Sequence, residues 1–206
     1  LYAELKSFFP NNAVEYFVSY YNYYQPEAYV PSTDNYIPKD SSINEQIDKL
    51  RHSATQALLE RSDVVIVSSV SCIYGIGDRE SYQALMLYLT IGEQRGRRQI
   101  ITRLTEMNYT HNDIEFDRGM YRIRGDVIDV FPASEDERAF RIELFDDEVE
   151  AISIFDPLTG KKIKDLKQVR IFAASHYVTS QENLTRAIGD IEIELGHRLE
   201  ELERQN

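Results

Sequence analysis

Seven of the chain's 14 tyrosines fall in the run Tyr16-Phe17-Val18-Ser19-Tyr20-Tyr21-Asn22-Tyr23-Tyr24-Gln25-Pro26-Glu27-Ala28-Tyr29-Val30-Pro31-Ser32-Thr33-Asp34-Asn35-Tyr36. A half-buried strand alternates apolar with polar residues, and a fully buried one carries aliphatics. This run does neither, and two prolines interrupt it. A phenol ring has an apolar body and a wet hydroxyl, which suits a surface that grips another molecule's flat faces. Nucleobases are such faces, and stacking on an aromatic is worth roughly 1–3 kcal/mol per base whatever the base. The run therefore predicts an aromatic projection that handles DNA or RNA. An aromatic core hairpin is the plainer alternative.

Arginines make the second constellation. Arg122 and Arg124 are two apart on a strand-like segment and so share a sheet face, as do Arg141 and Glu143 on another. If those strands are neighbours, three guanidiniums and a carboxylate occupy one exposed surface. Arginine is enriched at binding hot spots because its fork pairs bidentately and stacks. An ordinary solvated face with cross-strand pairs fits the same pattern equally well. Self-contained catalysis has no support. The acidic clusters at 135–137, 146–148 and 200–201 lack the spacing of a metal loop. His52, His111, His176 and His197 are scattered, and no serine or cysteine nucleophile signature is visible. Cys72 has no histidine near it in sequence and reads as a small buried residue.

The bulk properties constrain the partners. A net charge of −12 argues against a generic phosphate binder. The charge is uneven: residues 1–84 carry 6 basic and 11 acidic groups, residues 85–178 carry 14 and 17, and residues 179–206 carry 3 and 7. Any contact with nucleic acid should be local and aromatic, assisted by a partner that supplies the electrostatic attraction. No apolar stretch approaches the length of a membrane span; the longest, Val64-Val65-Ile66-Val67, reads as a strand. One cysteine cannot form an internal disulfide, which fits a reducing cytoplasm. Leu1-Tyr2-Ala3-Glu4-Leu5-Lys6 looks like the middle of a helix without a cap, so the chain is expected to be a piece of something longer.

The elements that must position these residues follow from periodicity. Pro26, Pro31 and Pro38 each remove a ladder donor, which excludes a central strand and favours a projecting hairpin. Residues 43–61 carry a helical stripe of Ile43, Ile47, Leu50, Ala54, Ala57 and Leu58, with Ser42 and Glu45 as a capping pair. Residues 63–69 read as a strand buried on both faces, giving α/β grammar. Residues 68–78 form a hydroxyl- and glycine-rich loop at its carboxyl end, where such sheets bind ligands. The spacing of a nucleotide-binding phosphate loop is absent. Residues 79–90 and 97–107 are predicted helices. From 113 to 173 the period drops to two, with strands at 120–131, 140–145, 151–155 and 169–172: an antiparallel sheet beside two helices, an α+β module. The end from Gln181 is an acidic helix.

The run from Phe9 to Asn44, the segment from Ser68 to Asp78, and Asp156-Pro157-Leu158-Thr159-Gly160 together resemble the UvrB family, the damage-verifying subunits of bacterial nucleotide excision repair. The resemblance covers nearly the whole chain, and the Tyr-Tyr-Asn-Tyr-Tyr-Gln-Pro-Glu-Ala-Tyr-Val-Pro stretch is highly specific. It departs at Asn22, where the family carries an aspartate, and at His111, where it carries an arginine. The resemblance implies that residues 1–84 are part of a helicase-like ATPase domain, with a β-hairpin at about 18–42 that inserts between DNA strands. Residues 85–178 become a domain that docks on UvrA, and residues 179–206 a helical return into the ATPase domain. It further implies that Tyr20, Tyr21, Tyr23 and Tyr24 stack on bases at the hairpin's root and that Tyr29 and Tyr36 lie nearer its tip. Glu27, Lys39 and Arg51 would lie along the DNA path, and Ser69, Ser71 and Tyr74 would touch the backbone. Arg122, Arg124, Arg141 and Glu143 would bind UvrA. Metal and cofactor are expected to be absent here; the family's ATP and Mg²⁺ motifs fall outside this sequence. The implied partners are UvrA, damaged DNA and, for the parent protein, UvrC, with no membrane. The rival reading is a protein-interaction module alone, as in a transcription–repair coupling factor. An independent hydrolase is the least supported.

Overall fold

The computed structural model describes residues 1–73, 79–179 and 181–205. A short helix α1 (Tyr2–Phe8) precedes β1 (Ala13–Phe17). Four short strands follow: β2 (Tyr21–Gln25), β3 (Ala28–Val30), β4 (Asn35–Ile37) and β5 (Asp40–Ile43). Then come α2 (Glu45–Glu60) and β6 (Val64–Ser68). β1 and β6 pair in parallel, from Ala13 opposite Val64 to Phe17 opposite Ser68. Parallel neighbours need a crossover, and α2 supplies it, packed on β1. The four intervening strands pair with one another: β2 with β5 and β3 with β4, both antiparallel. The turn at the tip places Asp34 at φ 48, a left-handed conformation that aspartate tolerates.

Two expectations change in this region. Asn44, rather than Ser42, caps α2: its side chain accepts from the Ile47 amide at 2.9 Å, while Ser42 is drawn into β5 opposite Tyr23. β6 is half-buried, not sealed on both faces, because its sheet has two strands and α2 packs mainly on β1. The stripe of α2 is also displaced. Ala54 and Ala57 are buried as expected, but Leu58 and Ile43 are exposed, and Arg51 and His52 go inside. Beyond β6 a short 3₁₀ turn spans Val70–Ile73. Cys72 there is half-buried rather than sealed, its thiol 3.4 Å from the Ser68 hydroxyl.

The larger unit begins with α3 (Arg79–Ala84), β7 (Leu87–Thr90) and α4 (Arg97–Glu106). Then come β8 (Thr110–His111), β9 (Met120–Arg124), β10 (Val127–Phe131), β11 (Ala139–Phe145), β12 (Glu148–Phe155), β13 (Lys162–Leu166) and β14 (Gln168–Ile171). The predicted helix over 79–90 therefore stops at Ala84. Leu85, Met86 and Leu89 have helical spacing, but Leu87 and Leu89 also alternate around exposed Tyr88, and β14 offers Ile171 and Val169 as partners. Burying both leucines against a paired strand wins. The run 120–131 is likewise two strands joined at Gly125-Asp126. Gly125 sits at φ 64, as the first central residue of a type II′ turn requires.

Six strands form the main sheet in the order β13-β12-β11-β10-β9-β8, antiparallel except for the short β8–β9 pair. One face carries Ile128, Val130, Ile142 and Ile152, which pack with Ile100 and Leu104 of α4 and with the β7–β14 pair into one core. β13 closes one edge with Lys162 and Lys164 exposed on it. The last helix, α5 (Gln181–Gln205), keeps Leu184, Ile188, Ile191, Leu195, Leu199 and Leu202 exposed along one side. Among the described residues no helix is long and apolar enough to cross a membrane, and no group of three or more histidines, cysteines and carboxylates is placed to hold a metal.

α2 joins the two units. Arg118 donates to the Glu45 carbonyl at 2.9 Å, Lys49 pairs with Asp136, and Ser134 donates to Gln56 at 2.7 Å. Thr55 and His176 lie 2.9 Å apart.

Candidate nucleic-acid and protein interfaces

The first site is the hairpin. Its rings stay outside: Tyr21, Tyr23, Tyr24, Tyr29 and Tyr36 are 46% to 58% exposed. They cannot be the core of an aromatic hairpin, because nothing covers them among the described residues. At the root, Tyr20 and Tyr21 stack with centroids 4.7 Å apart and planes at 29°, and Tyr24 lies 6.0 Å from Tyr21. Tyr20 is half-buried, and partial burial raises its phenol above the usual range, helped by Tyr177, whose hydroxyl lies 3.5 Å away. Three of the hydroxyls are used internally. Tyr29 donates to Asp34 at 2.7 Å, Tyr36 to Glu27 at 2.8 Å, and Tyr23 to Gln25. Lys39 sits over the Tyr24 ring at 5.7 Å. From 20 to 43 the hairpin carries the carboxylates of Glu27, Asp34 and Asp40 against the single cation Lys39. The hairpin therefore presents ring faces rather than positive charge.

Arg51, expected along the DNA path, is buried beneath the root of the hairpin. It is 3% exposed, its guanidinium 4.1 Å from the Phe17 ring and 4.6 Å from Tyr20, and it donates to the Val18 carbonyl at 2.8 Å. It pins the root of the hairpin from below through Nη1, while its Nε is buried without a hydrogen-bond partner among the described residues. Ser69 is half-buried, its amide bonded to the Phe17 carbonyl at 3.0 Å. Ser71 lies in the 3₁₀ turn beyond it. Tyr74 lies outside the described residues.

The second site is the outer face of the main sheet. The strands carrying the arginines are not neighbours, which corrects the condition set by the sequence: β10 runs between β9 and β11. It contributes Asp129, which stands opposite Arg122 on one side and Arg141 on the other. Arg122 donates from Nε at 2.9 Å to Oδ2, and Arg141 from Nε at 2.8 Å to Oδ1 and from Nη2 at 3.0 Å to Oδ2. The hydrogen bond to Asp129 raises the pKa of Arg141 further. Asp129 is 2% exposed, and the Arg122 and Arg141 side chains 13% and 29%. Both guanidiniums lie on phenyl rings, Arg122 at 4.2 Å from Phe116 and Arg141 at 4.5 Å from Phe155. One row along, Arg124 and Glu143 flank Val127, with Arg124 exposed and Glu143 half-buried. His111 is exposed on β8, stacked on Tyr121 at 5.2 Å and 3.1 Å from Asp113. Sequence reasoning missed Asp129 and the phenyl floor. The available signal was a carboxylate at an outward position of an otherwise apolar strand, Val127-Ile128-Asp129-Val130-Phe131.

Comparison with known proteins agrees with this layout. The family model described as the UvrB interaction domain matches residues 87–177, which hold the arginine face. The chain is 56% identical over all 206 residues to the UvrABC system protein B of Psychromonas ingrahamii, spanning 31% of that protein. It is 59% identical over 199 residues, 97% of the chain, to the same protein of Acinetobacter baylyi, spanning 30% of it. It is 56% identical over its full length to that of Pseudomonas syringae pv. tomato, spanning 31%. The chain thus spans about a third of the length of the curated relatives it matches. Since identity above one half extends over both the hairpin-bearing unit and the arginine-faced sheet, the chain corresponds to a segment of UvrB that contains its interaction domain.

Proposed function

We propose that this chain is the part of a UvrB protein that recognises DNA damage and its loading partner in nucleotide excision repair. The hairpin inserts between DNA strands, and one strand passes behind it. A bulky lesion on that strand cannot slip through, so the complex stalls there. Exposed tyrosines read bulk and flexibility without reading sequence, as stacking does. The arginine-bearing face docks on UvrA, which supplies the DNA affinity that an acidic chain lacks. Residues 1–84 belong to a helicase-like ATPase domain completed elsewhere in the parent protein, and α5 returns into it. ATP, Mg²⁺ and UvrC are partners of that whole protein in the cytoplasm, and this segment turns nothing over by itself.

The observation that carries the reading is the row of half-exposed tyrosines on strands that, among the described residues, pair with each other alone. Replacing Tyr21 and Tyr24 together by alanine tests it. Loading of lesion-bearing duplex in the presence of UvrA should fall by about 1–3 kcal/mol per lost stacking partner, with the fold unchanged. Equal loading by the variant would overturn the reading. A pure interaction module is the second reading. It is favoured by the hairpin's excess of carboxylates and by phenol hydroxyls already tied to Asp34 and Glu27. It predicts that the same variant binds UvrA and loads DNA as before.

A further inference from the structure

We propose that Asp129 is a positioning residue for partner recognition: it holds Arg122 and Arg141 as one rigid plate of outward-facing donors on the sheet. The proposal rests on the reading of this face as the UvrA-docking surface and deepens it.

The geometry carries the argument. Two guanidiniums on strands that do not touch converge on one carboxylate that solvent scarcely reaches. Each also lies on a phenyl ring, and the two rings, Phe116 and Phe155, stack on each other with planes 8° apart. An arginine on an open sheet face samples many rotamers, and freezing it costs free energy when a partner arrives. Here that ordering is complete before binding. Asp129 takes Nε of both arginines, which fixes which edge of each fork faces inward. The N–H groups left over face away from the carboxylate. What they receive are acceptors, carboxylate or carbonyl oxygens of the partner.

A buried carboxylate is also an awkward device for stability alone. Burying an ion and its partners costs about as much as the pairing returns, and apolar replacements of equal volume are often no worse. A packed apolar row would hold the sheet as well, but it could not aim two guanidiniums.

The test uses Asp129→Asn, with UvrA affinity, thermal unfolding and the arginine Nε–H resonances measured on the same samples. The expected result is UvrA binding weaker by about tenfold or more at a temperature where the core amide spectrum is unchanged, with the slowly exchanging Nε–H signals of Arg122 and Arg141 lost. Asp129→Glu keeps the charge but moves it outward by one methylene. It should shift both signals and weaken binding by less, and it carries the test alone if the asparagine variant fails to fold. Wild-type affinity in either variant, with the Nε–H signals displaced, overturns the proposal. Arg124→Glu separates this failure from that of the underlying reading, since Arg124 is not held by Asp129. If Arg124→Glu weakens binding and Asp129→Asn does not, the positioning role alone falls. If neither weakens it, the docking surface lies elsewhere and the positioning role falls with it.

Discussion

His52 on α2 and His176 on the segment after β14 stack face to face, with ring centroids 4.2 Å apart and planes at 21°. They lie in the seam between the hairpin-bearing unit and the interaction domain. Phe17 meets His176 edge-on at 5.9 Å, and Thr55 meets its Nε2 at 2.9 Å. The next residue, Tyr177, reaches the Tyr20 hydroxyl.

Acid should open this seam. Burial lowers His52 to about 4 and His176 to about 3, the latter also through repulsion from His52 and Arg51. Both are neutral in the folded chain, whereas an unfolded histidine titrates near 6.5. Their contribution is therefore complete above about pH 6.5 and is lost as pH falls toward the folded values. For His52 alone the loss reaches on the order of 3 kcal/mol near pH 4. Urea melts between pH 7.5 and 5 isolate the effect, before most carboxylates titrate. Stability should fall over that window in the wild type and much less in His52→Phe/His176→Phe. A flat wild-type profile would contradict the assignment.

Arg51→Met should loosen the hairpin without exposing the core. The thioether fills part of the space, but the charge-assisted bond to the Val18 carbonyl and both ring contacts disappear. A loss of about 1.5–3 kcal/mol follows from the hydrogen bond to a charged donor. Amide exchange in β2 and β5 should accelerate while that of β10 and β11 stays put. Uniform acceleration would mean that Arg51 supports the whole chain, not the flap.

Charge reversal should separate the arginines from one another. Arg124→Glu acts on an exposed side chain, so it should weaken UvrA binding by about 1–3 kcal/mol with little change in melting temperature. Arg122→Glu sets a carboxylate against buried Asp129 and should lower stability by several kcal/mol as well. Calorimetry beside a binding assay distinguishes them. Equal melting temperatures for the two variants would show that the Asp129 contact is incidental.

The purified chain should not hydrolyse ATP with or without DNA, because its sequence has no glycine-lysine phosphate loop. Phosphate release stimulated by DNA would show that a nucleotide site has been overlooked.

Much of this layout was written in local pattern. The prolines and crowded tyrosines forecast paired strands with open rings, and period two forecast β9 to β12. What escaped depends on tertiary partners. Leu85, Met86 and Leu89 satisfy a helix until β14 pairs with residues 87–90. Arg51 and His52 are polar residues on a helix, and it takes Phe17, Val18, Tyr20 and His176 from distant segments to make burying them worthwhile. The arginine pair was visible, but the residue between the two strands was not, since strand order is not encoded in spacing. Ser42 and Asn44 are both good caps, and pairing with Tyr23 decided between them.

The lysines on β13 bear on how such molecules coexist at high concentration. A sheet that ends in a bare strand invites another copy to continue it, and stacked copies grow into fibres. In the antiparallel register that sets Lys162 of one rim against Lys164 of another, like charges meet, with Lys161 just outside the strand, while Asp165 beside them pairs with Lys162 at 2.9 Å. Like charge at that rim disfavours such growth, and the sheet can stay a single layer.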